Sequence, residues 1–346
     1  MQKIVKQACG IDVAQKELVV TLGRLYDDLN LALYAHKSFP NTQKGFNGLQ
    51  EWIKKQTDTA VELRYIMEAT GVYHEKLAYF LYGQQRMVSI VLPNKISNYF
   101  RTLEIKTITD KTASEAICRF GLERKLDNWK PANPCYKKLR QLTRERDQLV
   151  QMRTIAKNQL HAEQSEAEPN KNSVSRVKKQ IAFLDKQEQE IKADITALIK
   201  QDEPLKQKVE LISSIPGVGN LTAVTVLAET NGFELIRSKK QLTSYAGLDV
   251  REKQSGTSVK GKPRISKKGN KFLRKSLHLP ALAAIRHDQR YKAVFARLVS
   301  KHGIKMKAAV AVQRKLLELI YIIFKSGKKY DSAYLQINRE QQNVTP

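Results

Sequence analysis

The chain has 346 residues, enough for two or three domains with their own hydrophobic cores. Its formal net charge is +27, and residues 211–346 hold 26 basic against 8 acidic side chains. This uneven excess favours a nucleic acid over an anionic membrane as the partner. No apolar run approaches the ~20 residues of a membrane span, and the N-terminus lacks a signal-peptide core. We therefore expect a cytoplasmic protein whose three scattered cysteines form neither a disulfide framework nor a zinc site.

The first 128 residues predict a mixed α/β domain. Three apolar, β-favouring runs come first, at residues 8–13, 18–25 and 31–39. Helical and strand patterns then alternate until about Gly121. Three meandering strands followed by alternating helices and strands indicate a mixed sheet with helices on its faces.

Three acids in this domain are candidate metal ligands. Asp12 and Glu68 each lie at or near the end of a short, buried-type strand, and Asp110 precedes a predicted helix. Carboxylates at strand ends and a helix start can hold Mg²⁺, which prefers oxygen ligands and an open position for phosphate. The alternative for Asp110 is a plain helix N-cap.

Residues 129–210 predict a long helical hairpin. Their composition shifts to Lys, Arg, Glu, Gln and Leu, and apolar residues follow helical spacing on both sides of a break at 169–173. Two long helices joined by a turn form an antiparallel hairpin or coiled coil. We interpret it as a dimerisation arm and spacer.

Residues 211–335 predict a mostly α-helical domain, and 336–346 a flexible tail. Ile215-Pro-Gly-Val-Gly219 precedes a predicted helix and resembles a helix-hairpin-helix element. There Gly217 and Gly219 would expose backbone N–H groups, and the helix N-terminus would face a phosphate. The alternative is a glycine-rich turn between two packed helices. Further amphipathic patterns follow at 277–285, 291–299 and 307–324.

Between these helical patterns lies a basic loop, with ten Lys or Arg and one acid from Arg251 to Lys275. Such a loop is typical of a segment that follows a phosphate backbone, although a solvated loop is the alternative. Ser255, next to Gly256, is a candidate nucleophile, but a serine beside a glycine is common in any loop. The predicted nucleic-acid contacts in the loop are Arg251, Lys253, Lys260, Lys262, Arg264, Lys267, Lys268, Lys271 and Arg274.

Seven short motifs occur in order along the chain. They are 10–14 (GIDVA), 67–73 (MEATGVY), 109–111 (TDK), 215–219 (IPGVG), 245–248 (YAGL), 254–256 (QSG) and 265–274 (ISKKGNKFLR). Together they resemble the DEDD/serine transposases of the insertion sequence one-ten family, which are bridge-RNA-guided DNA recombinases and kin of the pilin-gene invertases. The resemblance covers residues 8 to about 327.

This resemblance implies a RuvC-like, RNase H fold for the first domain, with Mg²⁺ on Asp12, Glu68 and Asp110 near the scissile phosphate. It implies that Ser255 attacks the DNA phosphodiester and leaves a 5′-phosphoserine link and a free 3′-hydroxyl. It also implies a tetramer built from two dimers, with the two halves of each active site on different subunits. A structured noncoding guide (bridge) RNA would pair with target and donor DNA.

One motif departs from the family pattern. The family has Asp-x-x-Asp-Ala, but the phase set by the following Ile-Cys-Arg-Phe places Ala113 at the second Asp, with Ser114 beside it. We hypothesise an engineered inactive variant, and the alternative is a natural lineage that lost the fourth ligand.

Two other functions compete with recombination: a RuvC-like metal-dependent nuclease that uses water, and a non-enzymatic nucleic-acid scaffold.

Overall fold

The structure is a computed structural model that describes residues 2–69, 71–103, 105–234, 236–252, 254–255, 259–261 and 263–331. For residues 254, 255, 259 and 260 only the backbone is described. The chain divides into two compact units, Met1–Pro131 and Ala132–Pro346. None of the helices in the described ranges is long and apolar enough to cross a membrane.

The first unit is organised around a five-stranded sheet. Its strands are β1 (Ile4–Val13), β2 (Glu17–Tyr26), β3 (Leu31–Pro40), β4 (Leu63–Glu68) and β5 (Met87–Val91). The strand order is β3-β2-β1-β4-β5. β1, β2 and β3 form an antiparallel meander, whereas β4 and β5 run parallel to β1. This order is that of the RNase H fold, so the predicted fold class is confirmed.

Helices cover both faces of this sheet. They are α1 (Gln43–Gln56), α2 (Glu75–Gly83), α3 (Pro93–Phe100) and α4 (Asp110–Glu123). The apolar faces of α1 and α2 pack against one side of the sheet, and those of α3 and α4 against the other. The central strand β1 is buried along most of its length because it is covered on both faces, which explains its near-continuous apolar run.

The second unit begins with the predicted helical hairpin, α5 (Pro134–Gln164) and α6 (Lys171–Gln201). Cross-helix ion pairs establish the antiparallel pairing, because Arg146 contacts Glu188 while Arg153 contacts Asp185. Glu188 is only 3% exposed between the helices and also pairs with Lys192. A fully paired carboxylate in a helical seam favours one register, since any slip would leave its charge buried and unpaired.

The rest of this unit is mostly helical. Its helices are α7 (Glu203–Ser213), α8 (Asn220–Glu229), α9 (Lys239–Tyr245), α10 (Lys271–Ser276), α11 (His278–His287), α12 (Gln289–His302) and α13 (Lys305–Ser326). The helical hairpin is predicted to extend to residue 210, but α6 ends at Gln201. Asp202 caps the next helix by accepting from the Leu205 N–H, with Pro204 in the first turn. The proline, which is favoured in a first turn, was the sequence signal for this break.

The basic loop contains short strands that the sequence pattern does not predict. They are β6 (Val250–Arg251), β7 (Gln254–Ser255), β8 (Val259–Lys260) and β9 (Arg264–Ile265). β6 pairs with β9 and β7 with β8, both antiparallel. Two-residue strands are too short for an alternating pattern, so periodicity gives no signal for them.

The structure divides into two compact units, whereas the sequence analysis predicts three domains and a tail. The hairpin and the following helices share one compact unit, and helices α5 and α6 contribute to the same apolar core as α7, α8 and α13. The boundaries at 128/129 and 210/211 stay predictions. The flexible tail predicted for 336–346 lies outside the described residues.

Candidate active site and nucleic-acid interface

Asp12 and Glu68 lie at one edge of the first unit's sheet. Asp12 is the next-to-last residue of β1, and Glu68 is the last residue of β4. These strands are parallel neighbours, so their carboxyl ends meet. Alternation along each strand places Asp12 on the face of Gly10, and Glu68 on the face of Ile66. This face is the one covered by α4, whose apolar side packs with Ile66.

Close packing of α4 on β1 brings Asp110 toward this edge. Lys6 donates to the carbonyl of Leu122, whereas Gly10 lies against the Ser114 carbonyl, so α4 runs antiparallel to β1. A Cβ at Gly10 would lie only 2.3 Å from a backbone nitrogen of α4, so a side chain there would push the helix away. The first residue of α4, Asp110, therefore lies toward the carboxyl end of β1, near Asp12.

The electrostatics show that the three acids interact. The pKa of Asp12 is raised from 3.8 to about 6, first by burial and then by the negative charges of Asp110 and Glu68. A hydrogen bond from the Val13 backbone acts in the opposite direction. Repulsion between like charges costs free energy in the apo site, and a bound cation would relieve it.

Thr109, rather than Asp110, caps α4. The Thr109 side chain accepts from the Thr112 N–H at 3.2 Å, and the Thr112 hydroxyl accepts from the Thr109 N–H at 2.8 Å. This reciprocal pair is a capping box. The alternative interpretation of Asp110 as a plain N-cap is therefore wrong, and its carboxylate is not used for capping.

Ala113 lies three residues after Asp110, on the same side of the helix. A carboxylate at this position would lie beside that of Asp110, but a methyl group cannot bind a metal. Ser114 is buried and directed toward the sheet instead. Its hydroxyl shares a 2.7 Å hydrogen bond with the Thr21 hydroxyl and donates to the Lys111 carbonyl at 2.8 Å.

The donor chemistry of this edge fits a hard divalent cation. All three candidate ligands are carboxylates, the oxygen donors that Mg²⁺ prefers. The negative charges of Asp110 and Glu68 add to burial in raising the pKa of Asp12, and a bound cation would oppose this shift. Among the described residues, however, no group of three His, Cys, Asp or Glu is arranged to hold a metal ion. The carboxylates are thus near enough to repel one another but do not converge as a ready-made ligand set.

The candidate nucleophile lies in the second unit, within the basic loop. Ser255 is the last residue of β7, and its backbone pairs with Val259 of β8. Its side chain and the adjoining Gly256 lie outside the described residues, as do Lys253, Lys262 and the side chain of Lys260.

Most of the remaining predicted nucleic-acid contacts are exposed. Arg251, Arg264, Lys267, Lys268 and Lys271 all have exposed side chains. Arg251 of β6 lies directly opposite Arg264 of β9. Like charges at opposed positions of a ladder are destabilising by roughly 0.2–1 kcal/mol, so this pair favours an anionic partner.

Arg274 differs from the other predicted contacts. It is half-buried, and its Nη1 donates to the carbonyls of Ala246 at 2.8 Å and Gly269 at 3.2 Å. In the structure the basic loop spans residues 246–270, between α9 and α10, so these two carbonyls lie at its two ends. Arg274 therefore closes the base of the loop within the protein.

The predicted helix-hairpin-helix element consists of α7, the Pro-Gly-Val-Gly turn and α8. Gly217 has a φ of +85°, and a Cβ there would lie 2.8 Å from the Pro280 carbonyl, so a side chain would be both strained and crowded. Gly219 is exposed, with no atom within 4 Å of a Cβ position, and no side chain caps α8 there. The α8 N-terminus thus presents uncapped N–H groups, as a phosphate contact would require.

Sequence reasoning missed a hydrogen-bonded group of residues that holds the ends of the basic loop. Arg144 of α5 pairs with Glu229, the last residue of α8, and Asn270 also donates to Glu229. The one signal for Glu229 was a charged residue ending an otherwise apolar helix. No local pattern pointed to Arg144.

Two family models match the chain. One, described as a transposase of the DEDD type, matches residues 9–165, and one described as the transposase IS116/IS110/IS902 family matches residues 209–296. The pilin gene-inverting protein of Moraxella bovis is 31% identical over 299 residues, covering 85% of this chain and 90% of that protein. The chain therefore belongs to the IS110 family of transposases, which are DNA-cutting enzymes.

Other relatives match less of the chain. The transposase of insertion sequence element IS1111A from Coxiella burnetii is 30% identical over 143 residues, covering 40% of this chain and 37% of that protein. Among solved structures, T. thermophilus RuvC in complex with a Holliday junction substrate is 10% identical with a TM-score of 0.27. The match covers 36% of this chain and 99% of that chain. The fold assignment rests on the strand order described above.

Proposed function

We propose that this protein is an RNA-guided DNA recombinase of an insertion sequence, which cuts and rejoins DNA through a phosphoserine intermediate. The observation that carries the proposal is the electrostatic coupling of Asp12 to Glu68 and Asp110 at one edge of an RNase H fold. Membership of the IS110 family and similarity to a pilin gene-inverting protein support DNA strand exchange as the reaction.

Asp12, Glu68 and Asp110 would hold Mg²⁺ in this proposal. When bound, Mg²⁺ would supply Lewis-acid stabilisation of the charge that develops on the reacting phosphate. The chain's own contribution is to orient the carboxylates, since the close packing of Gly10 against α4 determines where Asp110 lies.

Ser255 would supply the nucleophile. Its Oγ would attack the phosphorus as the bond to the 3′ oxygen breaks, and the serine proton would end on the released 3′-hydroxyl. A 3′-hydroxyl of the exchanged strand would then attack the phosphoserine and return the proton to Ser255. Each step replaces one phosphate ester by another, so no ATP is required. Exposed cations of the loop, such as Lys267 and Lys268, would hold the DNA backbone.

The proposed assembly is a homo-oligomer, from dimer to tetramer, in which the acids and Ser255 of one active site come from different subunits. The hairpin of α5 and α6 supplies a long helical arm for such pairing. A structured bridge RNA would pair with target and donor DNA, so base pairing would select the sequence. The exposed cations of the basic loop suit backbone contacts, which carry no sequence information. Because bacterial DNA is the proposed substrate, we expect the protein in the cytoplasm, associated with the nucleoid.

Ala113 bears on the activity of this particular chain. We propose that it occupies the position of a fourth carboxylate, because it follows Asp110 on the same side of α4. The chain would then be a catalytically impaired variant, whether engineered or natural. Ala113→Asp should increase Mg²⁺-dependent strand exchange, and the hypothesis is wrong if this variant shows no gain.

Covalent capture tests the proposed function. The Ala113→Asp protein is incubated with Mg²⁺, candidate guide RNA and end-labelled DNA, and then separated under denaturing conditions. We expect a labelled protein band that disappears in Ser255→Ala while RNA and DNA binding persist, and that also disappears in Asp12→Ala. Cleaved DNA without an adduct would instead identify a RuvC-like nuclease that uses water. Binding without either product would support a non-enzymatic scaffold.

A further inference from the structure

Glu229 is a buried carboxylate that accepts hydrogen bonds from two separate segments of the second unit. Its side chain is 1% exposed. Arg144 of the hairpin helix α5 donates to it through Nε and Nη2, both at 2.8 Å, in a bidentate pair. Asn270 donates to the same carboxylate through Nδ2 at 2.6 Å. A buried charge held by three donors is stable only while all of its partners are present.

The same point anchors both ends of the basic loop. At the first end, the Tyr245 hydroxyl donates to the Glu229 carbonyl at 2.9 Å. At the second end, the Asn270 N–H donates to the Tyr245 carbonyl at 2.7 Å, so a hydrogen bond connects the two ends of the loop. Gly269 allows this closure, because a Cβ there would lie 2.4 Å from the Tyr245 carbonyl. Arg274 adds the two bonds to Ala246 and Gly269 described above.

Arg144 and Asn270 connect this anchor to neighbouring helices. The side-chain oxygen of Asn270 accepts from the N–H groups of Phe272 and Leu273, which makes Asn270 the N-cap of α10. The Arg144 guanidinium lies over the Phe272 ring, 4.5 Å from its centroid. The hairpin helix α5 is therefore joined to the base of the loop through one charged pair and one stacked ring.

We propose that Glu229 is a positioning residue, which fixes the base of the loop carrying Ser255 against the hairpin helix α5. The proposal rests on the proposed role of Ser255 as the nucleophile. Glu229 is too deeply buried to contact DNA, so its effect on the reaction is exerted through Asn270, Tyr245 and Arg144.

The test uses two variants of the full-length Ala113→Asp protein. One removes a hydrogen bond at Glu229, and the other restores a complementary pair of groups between positions 229 and 270. Glu229→Gln keeps the size of the side chain but replaces one acceptor oxygen by an NH2 group, which must face a donor of Arg144 or of Asn270. Adding Asn270→Asp makes the partner an acceptor, and aspartate still caps α10. Glu188→Gln is the matched control, because it alters a similarly buried carboxylate, 3% exposed, in the hairpin of the same unit.

Two readouts are measured for each variant: amide hydrogen exchange of peptides from 246–270, and the rate of covalent DNA capture. We expect Glu229→Gln to accelerate exchange in these peptides and slow capture by about 100-fold, as for a misplaced nucleophile. DNA and RNA affinities should stay within about twofold, because the phosphate contacts remain. The double variant should recover capture to within about fivefold, and Glu188→Gln should leave exchange in these peptides unchanged.

Unchanged exchange in Glu229→Gln would overturn the proposal, as would capture that the double variant fails to recover. Equal losses of capture and DNA affinity would also overturn it, because they indicate a general structural role. The two proposals fail in different ways. If Ser255 is not the nucleophile, no variant gives an adduct sensitive to Ser255→Ala, but the exchange measurement still decides whether Glu229 holds the loop.

Discussion

Asp12→Asn should abolish strand exchange in the Ala113→Asp protein, and by itself it should stabilise the metal-free protein. The substitution removes one of three mutually repelling charges while keeping the side chain's size and an acceptor oxygen for the Val13 backbone. A residue retained only for the fold would behave oppositely, because its replacement would lose stability. The sign of the change therefore separates a functional carboxylate from a structural one.

The pKa of Asp12 determines the magnitude. Its rise from 3.8 to about 6 is roughly two units, which corresponds to a ceiling of about 3 kcal/mol at 1.36 kcal/mol per unit. Asp12 is partly exposed, so solvent screening reduces the expected gain to about 1–2 kcal/mol. Because the pKa of Asp12 is raised in the folded state, its ionisation destabilises the folded protein. This destabilisation is absent below about pH 4, grows as the pH rises to about 6 and is complete above that pH.

Urea unfolding with EDTA at pH 7 and pH 4 measures this effect. We expect the free energy of unfolding of Asp12→Asn to exceed that of the unsubstituted protein by about 1–2 kcal/mol at pH 7, and the two values to be nearly equal at pH 4. Added Mg²⁺ should reduce or reverse the difference, because it would bind the unsubstituted folded state preferentially. Asp127→Asn, which alters an exposed carboxylate of the same unit, should change stability by less than about 0.5 kcal/mol at either pH.

Two outcomes would refute this reasoning. A variant less stable than the unsubstituted protein at pH 7 in EDTA would show that Asp12 contributes to the fold. An equal gain at both pH values would show that ionisation is not its source.

Three further predictions concern packing, DNA binding and the hairpin. Gly10→Ala should destabilise the first unit by about 3 kcal/mol in urea unfolding, because its Cβ would overlap the α4 backbone. Gly48→Ala, with nothing nearer than 3.9 Å, should not destabilise it. Replacing Arg251 and Arg264 together by Ser should lower the salt slope of DNA binding by about 2, and an unchanged slope would exclude phosphate contacts there. Glu188→Ala should cost about 1–3 kcal/mol, since Arg146, Arg153 and Lys192 each lose one partner but stay partly exposed, and a calorimetric change below about 0.5 kcal/mol would contradict this.

Local patterns were sufficient for the order and type of most elements. Apolar runs located strands of the first unit, and helical spacing located α5 and α6, although the predicted hairpin extends past the end of α6 at Gln201. These patterns succeed because burial on one face imposes a period of 2 or 3.6 on the sequence itself. The two-residue strands were missed because two residues are too few to show alternation. The break at Asp202 interrupts the helical pattern by a single residue, and Pro204 was its only local signal.

The sequence by itself determined the class of fold and the family, because short motifs in a set order can be recognised without knowing which residues contact one another. Tertiary structure alone decided which residues act together. The coupling of Asp12 with Asp110 depends on how closely α4 packs on Gly10, and the opposition of Arg251 and Arg264 depends on strand register. The contact of Arg144 with Glu229 joins residues 85 positions apart. Such pairs leave no periodic trace along the chain, since they are produced by the packing of whole elements.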